Sequence, residues 1–376
     1  MPATGQTFKE IRKIQLTGKS TFILSLPKKW IKEMRLAPGD QVSLVREPDT
    51  NSVSMIVEAW NARKTSSGFA SAATIFVSAK DGPETLKRKV VALYLAGHPV
   101  INLKVKSGRI NAALREAVRD LVRKNLIGTE MIADSSDEIT LQVLLSIPEL
   151  SVTTALRRMY LIASAMHKDA LAALAEKNNV LAEGVIKTDD EVDRFGLYIS
   201  RNLVLALRSR QILEEIGLQD PSDCLSYRTA VKCLERVGDH AAGIAEKTLG
   251  IEAISGEPMQ RINRMSALSL SVLEDSVEAL LKRDYQLADQ AVDRAGEIYT
   301  LENDVIEMIE KKEADSVHSA SVRLIIEDIR RTAEYASDIA ETAINETIDE
   351  IISKDPQPEG QEKQKESARK DGRHHV

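Results

Sequence analysis

One stretch of this chain occurs twice, and it limits the fold more than any other feature. Cys233–Glu246, CLERVGDHAAGIAE, aligns without a gap on Asp328–Glu341, DIRRTAEYASDIAE. Both copies lie in a region from Ser151 almost to residue 350 whose apolar residues recur with the 3.6-residue period of helices packed on one face. A repeated helical unit of this kind buries its apolar stripe against its neighbours. Breaks near Gly217–Pro221 and Gly250–Glu257 divide the region. It is expected to form two bundles, 151–250 and 258–350, with each copy of the repeat closing a three-helix unit. Aromatic residues make up 4% of the chain, which disfavours both a β-sandwich and a base-stacking platform.

The first 150 residues follow other patterns. Ile11–Leu16 and Thr21–Leu26 alternate apolar and polar residues around the turn Thr17-Gly18-Lys19-Ser20, which predicts a β-hairpin. Pro27 opens a short helix running through Arg35, with Trp30, Ile31 and Met34 on one face and Lys28, Lys32 and Arg35 on another. Pro38-Gly39-Asp40 turns the chain into a strand over Gln41–Arg46, and Asn51–Val57 is expected to return as another, completing a domain over 1–58. Between 72 and 148 the pattern predicts strands at Ala73–Ala79, Val100–Val105, Glu130–Ala133 and Glu138–Leu145, with helices at Glu84–Leu95 and Asn111–Leu126. That alternation suits a small α/β domain of parallel strands joined by crossover helices. The tail, 353–376, has almost no apolar residues and is expected to be disordered.

Composition sets the outer bounds. A chain of 376 residues, 43% apolar and 29% charged, can bury a sizeable core in two or three domains. The longest apolar run, Val90–Leu103, is interrupted by His98 and Pro99 and is too short for a membrane span, so no membrane insertion is expected. The first residues carry no apolar secretion signal, which predicts a cytoplasmic protein. Cys224 and Cys233 then read as reduced thiols, with neither a disulfide nor a zinc site expected.

The net charge of -6 hides two opposite regions. Residues 1–37 carry eight Lys or Arg against Glu10 and Glu33, whereas 151–350 carry 23 basic residues against 37 acidic ones. A basic first segment suits a polyanion such as DNA; an acidic helical region suits cations or basic protein surfaces. Within that acidic region Asp189 and Asp193, and again Glu235 and Asp239, stand four residues apart and therefore share a helix face. Four converging carboxylates would suit Mg²⁺, Mn²⁺ or iron. The plainer alternative is a solvated face on which Lys232 and Arg236 pair with Glu235 and Asp239. His240 is a further candidate ligand, although a histidine beside a core face is more often structural.

Other chemistry finds less support. Gly18-Lys19-Ser20 imitates the end of a phosphate-binding loop, but Lys13 stands where that motif needs a glycine, and Thr21 and Ile23 lead to Pro27 rather than into a long helix. No nucleotide is expected. No histidine has a glutamate three residues before it, which argues against a di-iron oxidase, and no Gly-x-Ser-x-Gly occurs. The methionines at 159, 166, 259, 265 and 308 fall at helical core positions. No enzyme activity is expected.

The residues Leu234–Glu246 strongly resemble the signature helix of PhoU domains, and the repeat matches that family's tandem three-helix bundles. Asp189-Asp-Glu-Val-Asp193 is similar to the family's acidic motif on its second helix. Gln15–Trp30, together with Pro38-Gly39-Asp40, resembles the AbrB, SpoVT and MazE class of swapped-hairpin DNA-binding domains. The combination resembles archaeal phosphate-uptake regulators. The fold class implied is multidomain: a small swapped-hairpin β domain, a small α/β middle domain and all-α tandem PhoU-like bundles.

The PhoU resemblance implies a multinuclear metal, often iron, at Glu235 and Asp239, with Asp189 and Asp193 as companions. In the second copy Arg330 and Glu334 replace Glu235 and Asp239, and Tyr335 replaces His240. A cation from Arg330 would neutralise Glu334, which makes that copy the metal-free partner. The AbrB-like resemblance implies a homodimer whose phosphate-contact candidates are Arg12, Lys13, Lys19, Lys28, Lys29 and Lys32, with Arg12 also able to reach a base edge. The alternative for several of these lysines is that they only solubilise a small domain. The implied function is a DNA-binding regulator of phosphate uptake whose bundles sense metal or a partner. The second reading is a signalling adaptor for a transporter ATPase or sensor kinase, with the head used for dimerisation.

Overall fold

The computed structural model describes residues 12–18, 21–33, 36–40, 42–46, 55–59, 72–78, 81–144, 150–252, 254, 256–312 and 317–352. The tail 353–376, Lys19, Met34 and Arg35 lie outside the described residues. The chain divides into two compact units, 1–69 and 70–376.

In the first unit, β1 (Ile14–Thr17) pairs antiparallel with β2 (Thr21–Leu24), with Thr17 opposite Thr21. Gly18 takes φ +67°, the left-handed conformation that a tight hairpin turn needs and that glycine adopts at little steric cost. The turn therefore closes a hairpin rather than a phosphate loop. Helix α1 (Lys28–Glu33) follows Pro27, and a second hairpin joins β3 (Val42–Arg46) to β4 (Met55–Ala59). Ile14, Leu16 and Phe22 are 60–70% exposed.

The second unit opens with β5 (Ala73–Val77), α2 (Pro83–Leu95), β6 (Val100–Val105), α3 (Ala112–Asn125), β7 (Thr129–Asp134) and β8 (Glu138–Val143). The sheet order is β5-β6-β8-β7. Strands β5 and β6 are parallel neighbours across α2, as the alternating pattern predicts. The expectation of parallel strands joined by crossover helices fails for the last two strands, because β8 runs antiparallel between β6 and β7. Only Ser135, Ser136 and Asp137 separate β7 from β8, too few for a crossover helix, so the chain must turn back as a hairpin. Leu86, Val90, Leu114 and Val118 pack over Ile101, Leu103, Ile139 and Leu141 in one core.

Helices α4 (Val152–Glu176), α5 (Asn179–Ala206) and α7 (Asp223–Leu249) form the first bundle, with short α6 (Arg210–Glu215) between the last two. Ser151 and Asn178 cap α4 and α5 by accepting bonds from Thr154 and Leu181 amides. In the second bundle, α8 (Glu257–Lys282) and α11 (Val317–Ile351) enclose a middle element split at Gly296 into α9 (Tyr285–Ala295) and α10 (Ile298–Lys312). The two repeat copies sit on α7 and α11, which pack against each other. Leu234, Val237, Ala241 and Ile244 of one and Ile329, Ala336, Ile339 and Ala340 of the other are fully buried in a core shared by both bundles.

Candidate functional site

The sequence pairs four carboxylates on two helices, and the structure sets those helices side by side. Asp189 and Asp193 project from α5, and Glu235 and Asp239 from α7. Two glycines make the close approach work. A Cβ at Gly196 on α5 would overlap the Glu235 carboxylate, and one at Gly238 on α7 would come within 3.0 Å of Asp189 Oδ1. Each helix thus offers a bare backbone patch to the other's carboxylate.

The electrostatic result is an excess of negative charge. Asp189 is pushed up to about 6, first by burial and then by the charges of Asp239, Asp193, Asp190 and Glu246. Asp193 is raised by desolvation and by Glu235 and Asp239, with Lys232 opposing. Lys232 pairs with Glu235, as the solvated-face alternative predicts, but Arg236 instead lies over the Tyr335 ring, 5.4 Å from its centroid. Carboxylates are the donor type that hard or borderline cations take. Among the described residues, no three His, Cys, Asp or Glu side chains are close enough to form a coordination shell by themselves.

His240 does not join them. Its Nδ1 lies 2.8 Å from Asp328 Oδ1 and its ring stacks 5.6 Å from Tyr335, so it bridges α7 to α11. Cys224 and Cys233 are free and buried, with burial raising their thiols to about 11 and about 12, far from a thiolate nucleophile at neutral pH.

On the basic segment, Arg12, Lys13, Lys28, Lys29 and Lys32 are exposed, and Lys29 lies 4.0 Å from Glu33 one helical turn on. Lys28 and Lys32 are one turn apart on α1, while Trp30 and Ile31 are half-buried. Lys19 lies outside the described residues.

The PhoU domain family matches residues 156–248 and again 262–343. The helical part of this chain is a tandem pair of PhoU domains. The antidote-toxin recognition family MazE, a bacterial antitoxin, matches 15–51. The PhoU domains are similar to the phosphate-specific transport system accessory protein PhoU homolog of Streptococcus pneumoniae, 26% identical over 49% of this chain and 85% of that protein. The Aquifex aeolicus homolog is 32% identical over 33% of this chain and 55% of its own length. Among solved structures, PhoU from S. pneumoniae has a TM-score of 0.44 at 24% identity, covering 51% of this chain and 91% of that one. PhoU from Pseudomonas aeruginosa has a TM-score of 0.46 at 20% identity, with 51% and 93% covered.

The second PhoU domain departs from the first at the equivalent place. Arg330 Nε lies 3.0 Å from Glu302 Oε1, and the same guanidinium pairs with Glu334. Sequence reasoning names Arg330 and Glu334 but misses Glu302, which lies on another helix. It also misses Gly196 and Gly238, since a glycine inside a helix reveals a close approach only once the partner helix is known.

Proposed function

We propose that this chain is a DNA-binding regulator of phosphate transport, in which the basic MazE-type segment contacts duplex DNA as a homodimer and the first PhoU domain responds to a bound metal. The observation that carries this reading is the joining, in one chain, of a basic MazE-type segment to an acidic tandem of PhoU domains. The similar proteins named as accessory to phosphate-specific transport supply the physiological context. Arg12, Lys13, Lys19, Lys28, Lys29 and Lys32 are the proposed phosphate contacts. Asp189, Asp193, Glu235 and Asp239 are the proposed metal ligands, for iron or for Mg²⁺ or Mn²⁺. A bound cation would supply positive charge between α5 and α7 and offset both the burial and the carboxylate repulsion that raise Asp189.

The test is a mobility-shift titration of the full chain on its own upstream region and on phosphate-transport promoters across a salt series. Binding that weakens steeply with salt supports the proposal, because each neutralised phosphate releases counterions. Absent or salt-insensitive binding refutes it. The accessory role in phosphate-specific transport for which the similar proteins are named favours a second reading, an adaptor for a transporter ATPase or sensor kinase. Co-purification with such a partner, unchanged by Lys28→Glu with Lys29→Glu, would favour that version.

A further inference from the structure

The second PhoU domain repeats the carboxylate site of the first with one sign reversed and with Ile306 where Asp193 would stand. In the gapless alignment of the repeats, Arg330 stands at Glu235 and Glu334 at Asp239. On the middle helix, Glu302 precedes buried Val305 by three residues, as Asp189 precedes buried Val192. The positions that are four carboxylates in one domain thus include two carboxylates and a guanidinium in the other.

That guanidinium is well placed. It bonds Glu302 through Nε at 3.0 Å and pairs with Glu334, which also receives Arg331 Nη1 at 3.0 Å and the Tyr299 hydroxyl at 2.9 Å. The Arg330 and Glu302 side chains are 16% and 17% exposed, so the pair is screened less than a surface ion pair. Burial alone would lower the Arg330 pKa, yet the charges of Glu302 and Glu334 outweigh it and raise it. In the first domain Lys232 is about half exposed and pairs with Glu235 from the same helix.

We infer that Arg330 is a tethered cation standing where a metal ion would bind in the second PhoU domain, so that the chain's response to metal is confined to the first. The contrast rests on the proposed metal site of the first domain; the neutralisation of Glu302 and Glu334 by Arg330 does not. A guanidinium holds its charge at all physiological pH and cannot be removed by a chelator. A divalent ion entering this site would have to displace it and leave a largely buried cation unpaired.

The experiment uses the full chain, loaded with Mn²⁺, desalted, and measured for metal per chain by mass spectrometry. Asp189→Asn with Asp239→Asn should reduce bound Mn²⁺ to a small fraction of the wild-type value, and adding Arg330→Glu to that variant should restore binding. Mn²⁺ that persists in the first-domain variant and disappears with Glu302→Gln and Glu334→Gln overturns the inference, as does a folded Arg330→Glu chain that gains none. A wild-type chain that binds no Mn²⁺ removes the metal reading of the first domain. The neutralisation by Arg330 is then decided separately by thermal unfolding in EDTA. Arg330→Gln should lower the melting temperature at pH 7.5 by about 3–6 °C, and the triple change with Glu302→Gln and Glu334→Gln should recover most of it. No loss in Arg330→Gln, or no recovery in the triple variant, overturns the inference.

Discussion

Glu346 offers a direct measure of how a buried carboxylate in this bundle affects stability. It lies near the end of α11 with its side chain 6% exposed, beside Asp223 and Tyr227 of α7 and Arg283 at the end of α8. Arg283 Nη1 divides its charge between Asp223 Oδ1 at 3.1 Å and Glu346 Oε2 at 3.5 Å, while Glu346 Oε1 is buried without a hydrogen-bond partner among the described residues. One cation therefore serves two acids. Burial is the largest cause that raises Glu346, from 4.5 to about 7; Asp223 adds to it, and Ser226 and Arg283 oppose it. Between those two values the native state holds a proton that the unfolded chain has released, so stability falls as pH rises through this window and the whole cost is present above pH 7. The shift corresponds to an upper bound of about 3 kcal/mol, and relaxation reduces this to about 1–2 kcal/mol. Glu346→Gln keeps the shape and removes the ionisation. Its melting temperature should exceed that of wild type by about 3–6 °C at pH 8 and match it near pH 4.5, read by circular dichroism in the same buffer series. A variant destabilised equally at both pH values would refute the reasoning, since Arg283 pairing would then outweigh the burial cost.

Three further outcomes follow from other contacts. Gly97 takes φ +91°, and a Cβ there would come 2.6 Å from Leu205 Cδ2, so Gly97→Ala should cost about 1–3 kcal/mol in urea unfolding. Gly238→Ala should weaken Mn²⁺ binding about tenfold in equilibrium titration, because the new Cβ meets Asp189 Oδ1 at 3.0 Å and fully buried Val192 Cγ1 at 3.3 Å. Lys28→Glu with Lys29→Glu should flatten the dependence of log affinity for DNA on log salt by about 2 per chain.

The parts of this architecture that depend on neighbouring residues are legible in the sequence. The hairpin around Gly18 follows from alternation and a turn residue, and the long helices follow from a 3.6-residue period. The antiparallel place of β8 depends on which strand the β7–β8 hairpin lies against, and nothing in the alternating pattern specifies that. The site divides in the same way. Spacing of four puts Asp189 with Asp193 and Glu235 with Asp239 on single helix faces, but the two faces meet only through α5–α7 packing over Gly196 and Gly238. The repeat exposes Arg330 as an exception, whereas its partner Glu302 lies 28 residues earlier on α10 and has no local mark.

Helix α5 ties these observations together because it serves two neighbours at once. Asp189, Val192, Asp193 and Gly196 face α7, while Asp190, Leu197 and Arg201, with Arg208 just past the end of the helix, meet the α/β domain. The contacts on that second face differ greatly in strength. Lys124 and Asp190 are 3.9 Å apart and more than half exposed, which contributes little. Arg201 is 6% exposed, bonds the carbonyls of Tyr94 and Gly97, and stacks 4.8 Å from the Tyr94 ring; Arg208 bonds the Ala96 carbonyl at 2.8 Å. Both arginines thus sit at the negative end of the α2 dipole. Sliding α5 away would leave a buried guanidinium without its acceptors, a cost well above that of a surface pair. Packing and buried hydrogen bonds, rather than the visible salt bridge, therefore hold α5 against the α/β domain.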